Sequence, residues 1–284
     1  MLGLKDYHLH TSRCGHARGS MRDYVAMARV RGLREIGFAD HLPMYWLPPE
    51  QRDPGLAMAM EELPGYITEV QALREENPDL VIRLGIEADY IPGREGDLRD
   101  LLAAYPFEYV LGSVHFIDGW GFDNPALVEE YRQRDIGDIY RAYFDLVQRA
   151  ALSGLFNIMA HPDLVKKFGF RPAGELVELY DDTARAFHRA GVIAEVNTAG
   201  LRAPVGEIYP GPILLQAFCR QQVPFALGSD AHTPEQVGAG LAEARDLVVK
   251  LGGRFASSVV RSRKRLVLLT VPVFPGARVE RSEV

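Results

Sequence analysis

Short apolar runs alternate with longer amphipathic stretches along most of the chain. The runs lie near Leu4–Leu9, Glu35–Ala39, Val81–Ile86, Tyr109–Val114, Phe156–Ala160, Val192–Val196 and Pro224–Leu227. Most are short and rich in Val, Ile, Leu and Phe, as strands buried on both faces of a parallel sheet tend to be. The stretches between them read as helices. Ser20-Met21-Arg22-Asp23 is an N-cap with an acidic residue three positions later, and it predicts a helix to about Arg31, before Gly32. Thr233-Pro234-Glu235-Gln236 predicts a stronger start, with Thr as cap, Pro in the first turn and Gln closing the box. Leu176, Leu179, Tyr180, Ala184 and Phe187 put one apolar stripe on a helix ending at Ala190-Gly191.

Strand–helix alternation implies a parallel α/β sheet. Seven units predict a TIM-like (β/α)7 barrel rather than an open sheet. The single domain is expected to run over residues 1–252, with residues 253–284 packed on it. In that last segment Phe255–Val260 and Leu266–Val271 flank a charged "RSRK" turn and predict an added strand pair.

The polar residues at the strand ends change the picture from fold to chemistry. In order, the C-terminal ends of the runs carry His8 and His10, Asp40 and His41, Glu87, His115, His161, Glu195 with Asn197, and Asp230 with His232. Parallel barrels gather ligands and catalytic groups at that face. Seven of the 8 histidines sit at or just beyond a strand end; the exception, His188, lies mid-helix and reads as structural. His8 and His10 are two apart on a strand and share a face, and Asp230 and His232 repeat the arrangement. Glu87, followed by Asp89, can bridge two cations. Imidazoles with carboxylates and no clustered thiols suit zinc, iron or manganese.

Composition narrows the partners. With 47% hydrophobic and 25% charged residues, the chain reads as an ordinary soluble globular protein. A net charge of -6 argues against a general nucleic-acid surface. Two cysteines, Cys14 and Cys219, indicate no disulfide framework and fit a reducing cytoplasm. The longest apolar run, around Leu266–Phe274, is too short to span a membrane. Cys14, in "DYHLHTSRCGH", lacks the loop-to-helix spacing of a phosphatase nucleophile; as a metal ligand it ranks below His16. No GxxxxGK[ST] and no GxGxxG after a strand is present.

Asp6-x-His8-x-His10, then His16, His41, Glu87, His115, His161 and Asp230-x-His232, resembles the PHP (polymerase and histidinol phosphatase) family over about Leu4 to Leu251. Within it, "CGHA", "YVLGSVHF", "AHPDLVKKFG" and "EVNTAGLR" are similar to the monofunctional histidinol-phosphate phosphatases. The resemblance implies a distorted seven-stranded barrel and three divalent metal ions. Carried over position by position, the first ion takes His8, His10, Glu87 and Asp230. The second takes the bridging Glu87, His115 and His161, and the third takes His16, His41 and His232. Tyr7, where the family often has Leu, and Cys14, where many members have an acidic or small residue, depart from the pattern.

The implied reaction is hydrolysis of L-histidinol phosphate by metal-activated hydroxide, a step of histidine biosynthesis. The substrate is thus a small phosphomonoester, with neither nucleic acid nor membrane as partner. Phosphoryl charge calls for a cation: Arg202 first, then Lys167 and Arg13. Asp6, Asp40 and Asp163, beside ligand positions, are expected to orient imidazoles. Asp230 or His232 could relay a proton to the leaving alkoxide. Two long segments, from Pro43 to Pro64 with Tyr45, Trp46 and Glu61-Glu62, and from Phe116 to Asn124, are expected to close over the ligand. Two rivals share the ligand pattern. A PHP phosphodiesterase or nuclease acting on nucleotides or oligonucleotide ends would need a basic track or an inserted subdomain. A non-catalytic metal-binding accessory domain would tolerate lost ligands, and no ligand position is missing here.

Overall fold

In a computed structural model, which describes residues 3–174 and 176–260, the seven apolar runs become the strands of one parallel sheet. They are β1 (Lys5–Leu9), β2 (Glu35–Phe38), β3 (Val81–Asp89), β4 (Tyr109–Ser113), β7 (Ile158–Met159), β8 (Ile193–Asn197) and β9 (Phe225–Gly228). Their spatial order follows their sequence order. Between β4 and β7 a short antiparallel pair, β5 (Phe116–Ile117) and β6 (Trp120–Gly121), stands apart from the sheet. The sheet curls until its edges meet just past β9. There His10 N donates to Ala231 O at 3.0 Å and Ala231 N donates to His8 O at 3.2 Å. Each barrel strand is followed by one helix: α1 (Met21–Val30), α2 (Leu63–Glu76), α3 (Glu95–Ala103), α4 (Ile136–Leu152), α5 (Val177–Ala190), α6 (Pro212–Arg220) and α7 (Leu241–Lys250). No helix among the described residues is long and apolar enough to cross a membrane.

Local sequence explains most of these boundaries. Ser20 and Asp23 form the expected reciprocal cap, with Asp23 Oδ2 accepting from Ser20 N at 2.8 Å. Helix α5 buries Tyr180, Ala184 and Phe187 and ends at Gly191, whose φ of 66° suits a residue without Cβ. The start predicted at Thr233 does not hold. Pro234–Gln236 is a single 3₁₀ turn, and α7 begins only at Leu241. Gln236 Oε1 accepts from His232 N instead of closing a box, and Gly238 and Gly240 take left-handed φ of 71° and 73° that no continuing helix allows.

The C-terminal expectation is also revised. Over Phe255–Val260 the chain makes one isolated parallel bridge, Phe255 to Phe225, rather than a strand. Phe225 N donates to Arg254 O and Ala256 N to Phe225 O; beyond this point β9 runs on to meet the end of β1. Leu266–Val271 and the "RSRK" turn lie outside the described residues.

Tyr109 plugs the floor of the barrel. A Cβ on Gly37 would lie 2.0 Å from its hydroxyl, and one on Gly85 would lie 2.2 Å from its ring, so both strands need glycine there. The hydroxyl donates to Tyr7 O at 2.7 Å, which satisfies a buried polar group. Tyr109, Leu111, Ile158 and Ala226 form an apolar layer inside the sheet. The polar residues at the strand ends stand at its rim.

Candidate metal centre

The strand ends bring the candidate ligands to one point. His8 lies within β1 and His10 just past it; Glu87 is near the end of β3. His41, His115, His161, Asp230 and His232 follow β2, β4, β7 and β9, and His16 arrives on the loop after β1. Glu87 sits in the middle. Its Oε2 is 3.2 Å from His8 Nε2, 3.5 Å from His10 Nε2 and 3.2 Å from His41 Nδ1. Its Oε1 is 3.0 Å from His161 Nε2 and 3.8 Å from His115 Nε2. Asp230 Oδ1 lies 3.1 Å from His10 Nε2 and 3.7 Å from His8 Nε2. His16 and His232 face each other, Nε2 to Nε2, at 3.0 Å.

Hydrogen-bond chemistry tests whether this donor set suits cations. His16 Nδ1 contacts the carbonyls of Cys14 and Gly55, and His232 Nδ1 contacts that of Asp230. Carbonyls only accept, so each Nδ1 carries a proton, and in the neutral imidazole each Nε2 then presents a lone pair. Two such lone pairs 3.0 Å apart call for a cation between them. In His8, Nδ1 donates to Glu195 Oε1 at 2.7 Å, which points Nε2 at Glu87 and Asp230. His10 is fully buried, with neither ring nitrogen in a good hydrogen bond. His8, Glu87 and His161, and separately His10, His41 and His232, bring donor atoms within 4.8 Å of one another. Side chains so arranged fit divalent metal ions.

The electrostatics couple the carboxylates to the imidazoles. Burial opposes charge on Glu87 and Asp230, yet the surrounding imidazoles outweigh it and hold both carboxyls well below their usual range. Burial and the neighbouring His10 push His232 down to about 3, which keeps it neutral. Burial also lowers His115, but the Asp89 carboxylate overrides it and lifts it to about 10. Two candidate ligands pay in backbone strain. His161 and Asp230 have φ of 26° and 53°, a region that β-carbon sterics disfavour and that is over-represented at functional sites.

The orienting carboxylates are only partly those the sequence suggested. Asp6 accepts from the backbone N–H groups of Ser229, Gly238 and His8. Asp163 holds the buried Lys166 at 2.8 Å and Gly211 N–H. Asp40 does face an imidazole, His10, with Oδ1 3.6 Å from Nδ1, and it also bonds Thr11 and His41 N–H. Two further carboxylates aim imidazoles: Asp89, 2.9 Å from His115 Nδ1, and Glu195. Glu195 also accepts from His161 N–H at 2.7 Å and from Asn197. It reaches His8 because Gly228 faces it; a Cβ there would lie 1.9 Å from Glu195 Oε1. Glu195→Gln would turn an amide N–H toward one of these donors. Metal affinity is expected to fall by roughly 10–100-fold with circular dichroism unchanged; isothermal titration of the stripped protein checks it, and an unaltered isotherm would refute the role.

The centre opens into a cavity of about 820 Å³. Arg202 reaches its wall from the turn after β8, with Nη2 donating to Ser229 O at 2.7 Å. Lys167 lines it too, its Nζ 3.1 Å from Asp123 Oδ2. Arg13 is not part of the lining and pairs with Glu69 on α2 at 2.9 Å. Met44 and Leu56 from one long segment, and Phe116 and Asn124 from the other, complete the rim. Trp46 packs edge-on against Phe116, whereas Glu61 and Glu62 stay exposed outside the lining. His188 is exposed on the last turn of α5. Cys14, set aside on sequence grounds, is buried 3.8 Å from His16 Nε2. Two further side chains line the cavity without a strand-end position to mark them in the sequence: Tyr209, whose buried hydroxyl has no hydrogen-bond partner among the described residues, and Asp123. Their only signals are a "YPGP" turn after β8 and a "FDNP" turn after β6.

Comparison with known proteins gives a consistent result. The PHP domain family matches residues 6–199. A protein of Deinococcus radiodurans named a probable histidinol-phosphatase is 45% identical over 261 residues, covering 89% of this chain and 96% of its own. The histidinol-phosphatase of Bacillus subtilis is 29% identical over 82% of this chain and 95% of its own. The solved structure of histidinol phosphate phosphatase from Lactococcus lactis, complexed with zinc, L-histidinol and phosphate, superposes with a TM-score of 0.76. It is 24% identical and covers 90% of this chain and 96% of its own, so it speaks to the fold.

Proposed function

The chain belongs to the PHP family, and on that footing we propose that it is a metal-dependent histidinol-phosphatase. It hydrolyses L-histidinol phosphate to L-histidinol and phosphate in histidine biosynthesis. The observation that carries the reading is Glu87, ringed on both oxygens by five imidazoles from four different stretches of chain at the floor of a cavity that Arg202 and Lys167 line. The 45% identity to the Deinococcus protein, over nearly all of both chains, supports the substrate.

Three divalent ions, of zinc, iron or manganese, suit the donor groups. His8, His10, Glu87 and Asp230 would hold the first; Glu87, His115 and His161 the second; His16, His41 and His232 the third. Bound there, such ions would lower the pKa of a water to roughly 7 and offset phosphoryl charge. The protein's own groups do the rest. Arg202, braced by two backbone carbonyls, offers its remaining N–H groups to phosphoryl oxygens, and Lys167 adds a second positive charge. Asp230 and His232, both unprotonated and both lining the cavity, could take a proton from the attacking water and pass it to the leaving alkoxide. Glu195 and Asp89 keep the imidazoles turned inward. Both cysteines are free thiols, in keeping with a cytoplasmic enzyme.

A substrate panel tests the reading. Metal-replete protein should release phosphate from L-histidinol phosphate far faster than it cleaves dinucleotides. The reverse order would make it a PHP phosphodiesterase, and no turnover on either would leave a metal-binding accessory protein.

A further inference from the structure

The cavity holds one carboxylate that a phosphate site does not explain. Glu87, Asp89, Asp123 and Asp230 all line it. Glu87 and Asp230 face the clustered imidazoles, and Asp89 accepts from His115 Nδ1. Among the described residues Asp123 is bonded by Lys167 instead. Lys167 Nζ donates both to Asp123 O at 2.8 Å and to its Oδ2 at 3.1 Å, so the two side chains form a fixed pair of opposite charges on one wall.

A carboxylate beside the seat of a phosphate dianion repels it, and it neutralises the lysine that would attract it. For an alkyl phosphate whose alkyl group carries no charge, Asp123 is a liability twice over. The liability disappears when the substrate brings its own cation. L-Histidinol phosphate carries an ammonium on the carbon next to the phosphorylated carbon, nearer the phosphorus than its imidazole is. A zwitterion of that shape can lay its phosphate on Lys167 and its ammonium on Asp123, so that four charges alternate in sign.

We propose that Asp123 is the subsite for the substrate ammonium, and that Asp123 and Lys167 together select aminoalkyl phosphates over phosphates that lack the amine. The proposal rests on the histidinol-phosphatase reading above. It gives Asp123 two effects, an attraction for the amine and a repulsion of anything without one, and the repulsive half is what sharpens selectivity.

The test compares kcat/KM for L-histidinol phosphate with that for its des-amino analogue, imidazolylpropyl phosphate, in wild type, Asp123→Asn and Lys167→Gln. Wild type should prefer the aminated substrate by about tenfold or more, the usual worth of a hydrogen bond to a charged group. Asp123→Asn should bring that ratio toward one and weaken inhibition by L-histidinol by a similar factor. Lys167→Gln should lower both rates together. An Asp123→Asn enzyme that keeps the wild-type ratio and the wild-type inhibition by L-histidinol overturns the subsite. A wild type that cleaves neither imidazole phosphate overturns the functional reading instead.

Discussion

Glu87→Gln is expected to lower phosphate release from L-histidinol phosphate by about 10³-fold or more, equivalent to about 4 kcal/mol of transition-state stabilisation. Glutamine keeps the size of the side chain and its place in β3, so circular dichroism should match wild type. What changes is chemistry at both oxygens. Oε2 faces His8, His10 and His41, and Oε1 faces His161 and His115. An amide is neutral, and at one of the two positions it turns N–H groups toward nitrogen lone pairs or toward ions. Two groups of ligands would lose their shared anion in one substitution. Turnover within tenfold of wild type, in protein shown to carry its metal, would remove Glu87 from the centre of the account.

Exhaustive chelation should abolish turnover and lower the melting temperature together. The fold alone gives a reason for the second effect. Without cations, the Nε2 atoms of His16 and His232 lie 3.0 Å apart with no shared ligand between them, and both ring nitrogens of the buried His10 lack a hydrogen-bond partner. A ligand that binds only the folded state stabilises it by RT ln(1 + [L]/Kd), about 4 kcal/mol at a thousandfold excess over Kd. Differential scanning calorimetry of stripped and replete protein checks this. A stripped sample that melts at the replete temperature would contradict metal binding by these buried side chains.

Much of the architecture was legible because it follows from local rules. Buried parallel strands must be apolar runs, and all seven runs became barrel strands; helices such as α1 carry their caps in sequence. The candidate site was legible for a related reason, since polar residues at the carboxyl ends of barrel strands meet in space whatever lies between them. What escaped depends on orientation or on distant partners. Asp6 and Asp163 neighbour candidate ligands in sequence, but their carboxylates serve backbone N–H groups and Lys166. The carboxylate that orients His8 is Glu195, far along the chain, and nothing local marks it except its place at a strand end. Arg13 reads as a free cation until the fold brings Glu69 to it. The helix start at Thr233 failed for a similar reason. Thr-Pro-Glu-Gln fits a 3₁₀ turn as well as a helix, and the need of His232 N–H for a partner decided between them.

One cluster of side chains is expected both to hold metal and to perform the hydrolysis. Stripped protein titrated with divalent metal, with bound ions per chain and phosphate release from L-histidinol phosphate measured in the same samples, checks both at once. Release should be absent at zero metal, and turnover should rise with occupancy to a plateau near three ions per chain. Full turnover in metal-free protein, or a protein loaded with ions that leaves L-histidinol phosphate intact, would overturn the assignment.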